Sequence, residues 1–312
     1  MVKARIATVA LSVAALVTAT ACGGGSTNSA TSSSTSTAAG PKLVVVSTIN
    51  AWGSIASQLG GDRVAATSII TNPDTDPHDY EPAAGDARSV ATARVVVENG
   101  IGYDAWADKL IASNPNPQRT VINVGDTVGV PKDGNPHQWY SPDSVNKVID
   151  AITNAYKSAD PADAAYFDQQ RQQYLDQGLA KYHQEIDTIK ATYAGTPIGA
   201  SESIVSPLAD ALGLKMLTPA EFLKAISEGT DPSPADKATV DQQIASKAIK
   251  VYVFNSQNST PDIQAQVDAA KKQGIPVTTV TETLAPANAS FQDWQTGQLS
   301  QLAAALHTAT GK

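Results

Sequence analysis

Short apolar runs alternate with amphipathic stretches over most of the chain after residue 42. The run from Leu43 to Val46 is continuous and mostly β-branched, as in strands that are buried on both faces of a sheet. Six further runs complete the set of predicted strands: Val64–Ile70, Arg94–Val97, Thr120–Val124, Pro197–Ala200, Ile249–Phe254 and Pro276–Val280. Because helical patterns separate these strands, the sequence predicts an α/β fold in which parallel sheets carry helices on both faces.

The longest helical pattern, residues 160–193, divides the chain. Apolar residues recur at spacings of three and four along its second half, at Leu175, Leu179, Tyr182, Ile186, Ile189 and Tyr193. A helix of this length spans roughly 50 Å, which is longer than one small domain is wide. We therefore expect one long helix to join two doubly wound α/β lobes, residues 42–159 and 194–312. Two alternatives are a surface helix that contacts one body only and a helix that breaks at Gly178.

The first 41 residues predict export and anchoring. Lys3 and Arg5 precede a short apolar run that is too short to span a bilayer, so residues 1–21 are typical of a signal peptide. Cys22 follows, in a context that resembles the lipobox of bacterial lipoproteins, where the cysteine carries the lipid. Residues 22–41 are rich in Gly, Ser and Thr and predict a flexible tether. An ordinary signal peptide that is cleaved nearby is the alternative.

Composition narrows the classes of partner. The 312 residues are 42% hydrophobic, which is enough for two buried cores. The formal charge of −8 becomes more negative when the signal peptide is removed, so nucleic acid is disfavoured and contact with the membrane is expected through the N-terminal lipid only. A single cysteine excludes a disulfide framework and a cysteine metal cluster. The negative charge makes cations a more natural partner than nucleic acid or an anionic lipid surface.

Two of the four histidines follow prolines in loops at the ends of predicted strands. These are His78, after the second strand, and His137, after the fourth. Ligands of parallel α/β sheets bind beyond the carboxyl ends of the strands, and a proline lowers the cost of ordering the loop that presents an imidazole. We therefore interpret both as candidate ligands. His183 and His307 lie on helices and are expected to be structural.

Two carboxylates occupy the corresponding positions in the second lobe. Glu202 follows the strand that begins at Pro197, and Glu282 follows the strand that begins at Pro276. An acidic residue in a loop is usually just solvated. The rule for strand ends nevertheless makes both of them candidate ligands.

Three segments resemble the signature segments of TroA-like solute-binding proteins, the zinc and manganese receptors of bacterial ABC importers. They are residues 76–82 (Asp-Pro-His-Asp-Tyr-Glu-Pro), Asn99-Gly100, and residues 135–139 (Asn-Pro-His-Gln-Trp). The resemblance implies two α/β lobes joined by one long helix, with a metal site between the lobes. It further implies a lipid-anchored monomer on the extracytoplasmic face of the bacterial cell membrane, which captures the metal ion and delivers it to the ABC permease.

The resemblance places the four metal ligands at His78, His137, Glu202 and Glu282. The family usually has Asp as its fourth ligand, so Glu282 is a departure, and Asp74 stands where the family usually has glycine. Two imidazoles and two carboxylates neutralise a divalent cation, and the oxygen content leans toward manganese although imidazole suits zinc equally well. We therefore expect Mn²⁺ as the cargo in preference to Zn²⁺.

Two other function classes remain as alternatives. A secreted metal-dependent hydrolase needs an open coordination position for water, whereas four protein ligands leave little room for it. The sequence has no His-Glu-x-x-His pattern, so we expect no enzyme. A surface adhesion lipoprotein depends on the anchor alone and could coexist with metal capture.

Overall fold

Two four-stranded parallel sheets form the framework of the chain in a computed structural model that describes residues 40–73, 75 and 80–312. The predicted signal peptide, Cys22 and nearly all of the predicted tether lie outside these residues, and so does His78. Among the residues described, every helix is too short or too polar to cross a membrane.

The first sheet has its strands in the order β2-β1-β3-β4, all parallel. The strands are β1 Leu43–Ile49, β2 Val64–Ile70, β3 Val95–Glu98 and β4 Thr120–Asn123. The two central strands, β1 and β3, are the most continuously apolar and are buried on both faces, as the valine-rich runs predict. The edge strand β4 exposes Val121.

The second sheet repeats this arrangement with the order β6-β5-β7-β8. Its strands are β5 Pro197–Ala200, β6 Lys215–Met216, β7 Val251–Asn255 and β8 Val277–Val280. The prediction of two α/β lobes with parallel sheets is therefore confirmed. Because all strands of a sheet run the same way, the loops after β5, β7 and β8 meet at one edge.

Twelve α-helices accompany the sheets in the described part of the chain. They are α1 Asn50–Gly60, α2 Ala84–Thr92, α3 Ala105–Ser113, α4 Val124–Val128, α5 Pro142–Ala159, α6 Ala164–Gln173, α7 Ala180–Tyr193, α8 Ser206–Ala211, α9 Ala220–Ser227, α10 Pro234–Ala245, α11 Pro261–Lys272 and α12 Phe291–Thr310. Helices α5, α10 and α11 each begin with proline after a Ser or Thr whose side chain accepts a backbone N–H bond. Proline in the first turn and a hydroxyl cap are standard signals for a helix start.

The predicted single helix over residues 160–193 is wrong in its continuity. Helices α6 and α7 are separated by a π-helical turn, Tyr174–Gly178, and by Leu179. A Cβ on Gly178 would lie 2.7 Å from the Tyr174 ring, so only glycine fits the close approach within this turn. The alternative of a break at Gly178 is the one that the structure bears out, and the predicted apolar stripe is still mostly buried.

The two sheets share one hydrophobic core. A single cluster of buried side chains runs from β1 and α1 through α5 and α7 to α12. Polar contacts cross in the same region: the carboxamides of Gln58 and Gln292 exchange hydrogen bonds of 3.0 and 2.7 Å, and Leu284 N donates to Asn50 Oδ1. A separate apolar cluster covers the outer face of the second sheet. The lobes are thus joined by packing as well as by the chain.

Candidate metal centre

Three of the four predicted ligands lie together where the two sheets face each other. His137 follows β4 and α4, Glu202 follows β5, and Glu282 follows β8. Each offers a ligand atom, and these atoms all lie within 4.8 Å of one another. The remaining predicted ligand, His78, is outside the described residues, so its position remains a prediction.

The imidazole of His137 is oriented by Asn135. Asn135 Oδ1 accepts hydrogen bonds from the His137 backbone N at 3.0 Å and from Nδ1 at 2.9 Å. Asn135 Nδ2 donates to Ser203 O at 2.7 Å, which fixes the orientation of the carboxamide. Since Oδ1 can only accept, Nδ1 carries the proton. The Nε2 atom of the neutral ring therefore presents a lone pair to the site, as a metal-binding histidine does.

Aromatic side chains pack around the imidazole of His137. The rings of Tyr103 and Trp139 meet it edge to face, with centroids 6.0 and 5.3 Å away, and His137 is fully buried. Asn99 accepts a hydrogen bond from Trp52 Nε1 at 2.9 Å and donates to Pro136 O at 3.0 Å. Asn99 thus holds the peptide just before His137. Burial of the imidazole among these rings lowers the local dielectric constant and so strengthens electrostatic interactions within the site.

Glu202 is buried and has a carboxamide on each oxygen. Asn255 Nδ2 donates to Oε1, and Asn258 Nδ2 donates to Oε2 at 2.7 Å. Burial, together with the nearby Glu282, raises the pKa of Glu202 to about 8, although His137 and the two amides act in the opposite direction. A carboxylate in this position gains strongly from a cation.

Glu282 contacts both lobes, and its side chain is 12% exposed. Tyr103 Oη donates to its Oε2 at 3.0 Å, and Asn255 Nδ2 donates to its Oε1 at 3.0 Å. Its Oε2 also lies 3.3 Å from His137 Nε2. Burial lowers the pKa of His137, but the neighbouring Glu282 and Glu202 outweigh this effect and raise it.

The geometry at Nε2 calls for a positive charge. The imidazole lone pair and a carboxylate oxygen face each other, which is repulsive unless a proton or a metal ion lies between them. With a second buried carboxylate beside them, the group offers one nitrogen and up to four oxygens. These donors suit a divalent transition metal ion, so the described residues fit the predicted cargo.

Gln257 ties the loop of Glu282 to the first lobe. Its Oε1 accepts hydrogen bonds from the backbone N atoms of Glu282 and Thr283. Its Nε2 donates to Pro73 O at 2.8 Å. Pro73 lies five residues before His78 in the sequence. One side chain thus connects the loop of the fourth predicted ligand to the segment that leads to the first.

The amides and the phenol of the site were missed by sequence reasoning. Asn255 ends β7, Gln257 and Asn258 follow it, and Tyr103 follows β3, so the rule for strand ends applies to them as well as to the glutamates. That rule was the available signal, but amides and phenols at strand ends are less distinctive of a metal site than histidines and carboxylates are. His183 and His307 lie on α7 and α12, away from the cluster, as expected.

Comparison with known proteins identifies the family of the chain. The family model described as "Zinc-uptake complex component A periplasmic" (ZnuA) matches residues 45–305. The chain is 30% identical over 141 residues to the iron-binding protein YfeA of Yersinia pestis, covering 43% of this chain and 45% of that protein. It is 24% identical over 254 residues to the manganese-binding lipoprotein MntA of Bacillus subtilis (strain 168), covering 77% of this chain and 80% of that protein.

The first curated relatives match over only about half of their own length. Among solved structures, the manganese-bound periplasmic metal binding protein from Candidatus Liberibacter asiaticus has a TM-score of 0.70 at 21% identity. That match covers 85% of this chain and 100% of the other. At this identity the likeness concerns the fold.

Proposed function

Because the chain belongs to the ZnuA family of zinc-uptake complex components, we propose that it captures a divalent transition metal ion and delivers it to an ABC permease. The family is one of metal-binding solute-binding proteins and not of enzymes. The observation that carries the proposal is the buried cluster of His137, Glu202 and Glu282, with the Nε2 lone pair directed at a carboxylate. In this proposal His78 supplies the remaining ligand.

The cargo we propose is Mn²⁺ in preference to Zn²⁺. Two glutamates offer up to four oxygens, and oxygen ligands suit manganese, which binds more weakly than zinc to a given set of donors and so depends on a favourable geometry. The relative from Bacillus subtilis, which matches the largest share of this chain among the relatives compared above, is named as a manganese-binding lipoprotein. Glu282, longer by one methylene than the usual Asp, gives the fourth ligand additional reach.

The place of action in this proposal is the extracytoplasmic face of the cell membrane, with lipid on Cys22 and residues 22–41 as the tether. The protein acts as a monomer. Release at the permease requires movement of the ligand loops, because a closed site would retain its ion. The core shared by the two sheets supports small movements of loops and not a wide opening of the lobes.

Metal content of the purified protein tests the function directly. The chain without residues 1–22 is exposed to equal concentrations of Mn²⁺ and Zn²⁺, desalted and analysed by mass spectrometry. We expect about one equivalent of metal and its loss in His78→Ala, His137→Ala and Glu282→Gln. A manganese share above that set by the general order of affinities, which favours zinc, would support the proposed preference. His183→Ala is the matched control, because this histidine lies outside the cluster. Absence of metal from the unaltered protein, even after reloading, would contradict the proposal.

A further inference from the structure

Asn255 occupies the one strand end that lies between the two glutamates. Strand β7 pairs with β5 on one side and with β8 on the other. Glu202 follows β5 and Glu282 follows β8, so the last residue of β7 is brought between them. That residue, Asn255, is fully buried. Its position is a consequence of the strand order and does not depend on the conformation of a flexible loop.

Every polar atom of the Asn255 side chain takes part in a hydrogen bond within the site. Nδ2 donates one N–H to Glu202 Oε1 and the other to Glu282 Oε1, the latter at 3.0 Å. Oδ1 accepts from Gln257 N at 3.0 Å, which fixes the orientation of the carboxamide. The backbone N donates to Ser201 Oγ at 3.0 Å and so fastens Asn255 to the loop of Glu202. The reverse orientation of the amide would place its oxygen against two carboxylates.

A carboxamide is well suited to this position. The two carboxylates repel each other in a buried site, and an amide NH₂ group supplies one partial positive charge to each without carrying a net charge. An ammonium in the same place would compete with the cation. The bridging bonds also restrain which oxygens of the two glutamates remain directed toward His137, among them Glu282 Oε2 at 3.3 Å from Nε2.

We infer that Asn255 is a positioning residue that holds Glu202 and Glu282 in a fixed relative geometry and thereby sets the affinity and the ion preference of the site. The inference rests on the proposed function, since it concerns the same site. A weakly binding ion such as Mn²⁺ depends most on ligands that are already in place, whereas Zn²⁺ binds tightly even where the ligands must rearrange. Asn255 therefore increases the affinity of the site for Mn²⁺ more than its affinity for Zn²⁺.

The experiment compares dissociation constants for Mn²⁺ and Zn²⁺ in the chain without residues 1–22, by calorimetry with a competing chelator. In Asn255→Ala we expect the constant for Mn²⁺ to rise by about 10–100-fold, the range found when partners of metal ligands are removed. The constant for Zn²⁺ should rise less. Asn255→Ser, which keeps one short donor, should recover part of the affinity for Mn²⁺.

Asn258→Ala is the matched control, because Asn258 bonds to only one of the two glutamates. We expect it to weaken the binding of Mn²⁺ less than Asn255→Ala does and to leave the ratio of the two constants nearly unchanged. Circular dichroism and urea unfolding verify that each variant is folded. If Asn255→Ala is not folded, the dissociation constants of Asn255→Ser test the inference in its place. The inference is overturned if Asn255→Ala binds Mn²⁺ within about threefold of the unaltered protein, if it affects both ions equally, or if it matches Asn258→Ala. Failure of the unaltered protein to bind either ion counts against the proposed function instead.

Discussion

Replacement of Asn135 by alanine should weaken metal binding by releasing the imidazole of His137. The carboxamide accepts hydrogen bonds from Nδ1 and from the backbone N of His137, and it donates to Ser203 O. Without Oδ1, the proton of the neutral ring is no longer restricted to Nδ1, and the ring can turn or change tautomer. A ring with its proton on Nε2 cannot bind a metal ion through that atom.

The expected magnitude follows from these three hydrogen bonds. Loss of the partner of a metal-binding histidine costs about 10–100-fold in affinity, or about 1.4–2.7 kcal/mol. For folding, three bonds at about 1 kcal/mol each set an upper bound of about 3 kcal/mol. A cavity of about 420 Å³, lined by Asn135 and Ser203 among others, gives water access to the exposed groups. We therefore expect the unfolding free energy to fall by only about 1–2 kcal/mol.

Asn135→Asp separates the orientation of the ring from its packing. Aspartate has the same shape and keeps an oxygen that accepts from Nδ1 and from the backbone N, but it loses the donor to Ser203 O. Its carboxylate faces Ser203 O, which also offers only lone pairs, so its stability should fall about as much as that of Asn135→Ala although two of the three hydrogen bonds remain. Its affinity for Mn²⁺, measured by calorimetry at pH 7.5, should stay within about threefold of the unaltered protein. If the two variants bind Mn²⁺ equally, or if Asn135→Ala binds as tightly as the unaltered protein, control of the tautomer by Asn135 is refuted.

Three further predictions concern pH and the contacts between the lobes. Metal binding displaces a proton from Glu202, whose pKa is raised to about 8, so the dissociation constant should rise by about tenfold per pH unit as pH falls from 8 to 6. The raised pKa of His137 should add to this rise, and a constant affinity in calorimetry would contradict this ligand set. Burial raises the pKa of Glu98 to about 7, above its value in the unfolded chain, so its contribution to stability is full at low pH and is lost as pH rises through 7. Glu98→Gln should therefore be more stable than the unaltered protein at pH 8, by about 1–3 kcal/mol in urea unfolding, and the difference should vanish near pH 4. Gln257→Glu keeps the acceptor for the loop of Glu282 but loses the donor to Pro73 O and to Thr283 Oγ1. Stopped-flow chelation should therefore show metal release accelerated several-fold, on the order of the loss of one or two hydrogen bonds, and an unchanged rate would count against the link.

The fold was largely predictable because buried parallel strands leave a strong local signal. The predicted strands Val64–Ile70 and Pro197–Ala200 have the same bounds as β2 and β5, and the other predicted strands differ from those observed by a few residues at most. The two-residue strand β6 and the five-residue helix α4 were not predicted, since neither is long enough to show a period. The predicted helix over 160–193 failed at one point because a stripe with spacings of three and four tolerates a π-helical turn.

The site was predictable in its charged members and not in its neutral ones. The strand order brings together the ends of β5 and β8, so Glu202 and Glu282 could be found from the rule for strand ends. Asn255 and Gln257 obey the same rule, but in a sequence such residues also indicate turns. Their role depends on which atom of the amide faces which partner, and that is decided by contacts between strands. Whether His78 joins them stays a prediction.

Helix α12 has a consequence for how the chain reaches its native state. It packs on α1 and α7, and its Gln292 pairs with Gln58, more than 230 residues earlier. The core of the first sheet therefore lacks part of its cover until the last helix has been made. Contacts between such distant segments form late and slow the folding reaction. Until α12 has docked, the chain therefore lacks the complete core that the two sheets share, and it gains its full stability only when this last helix is in place.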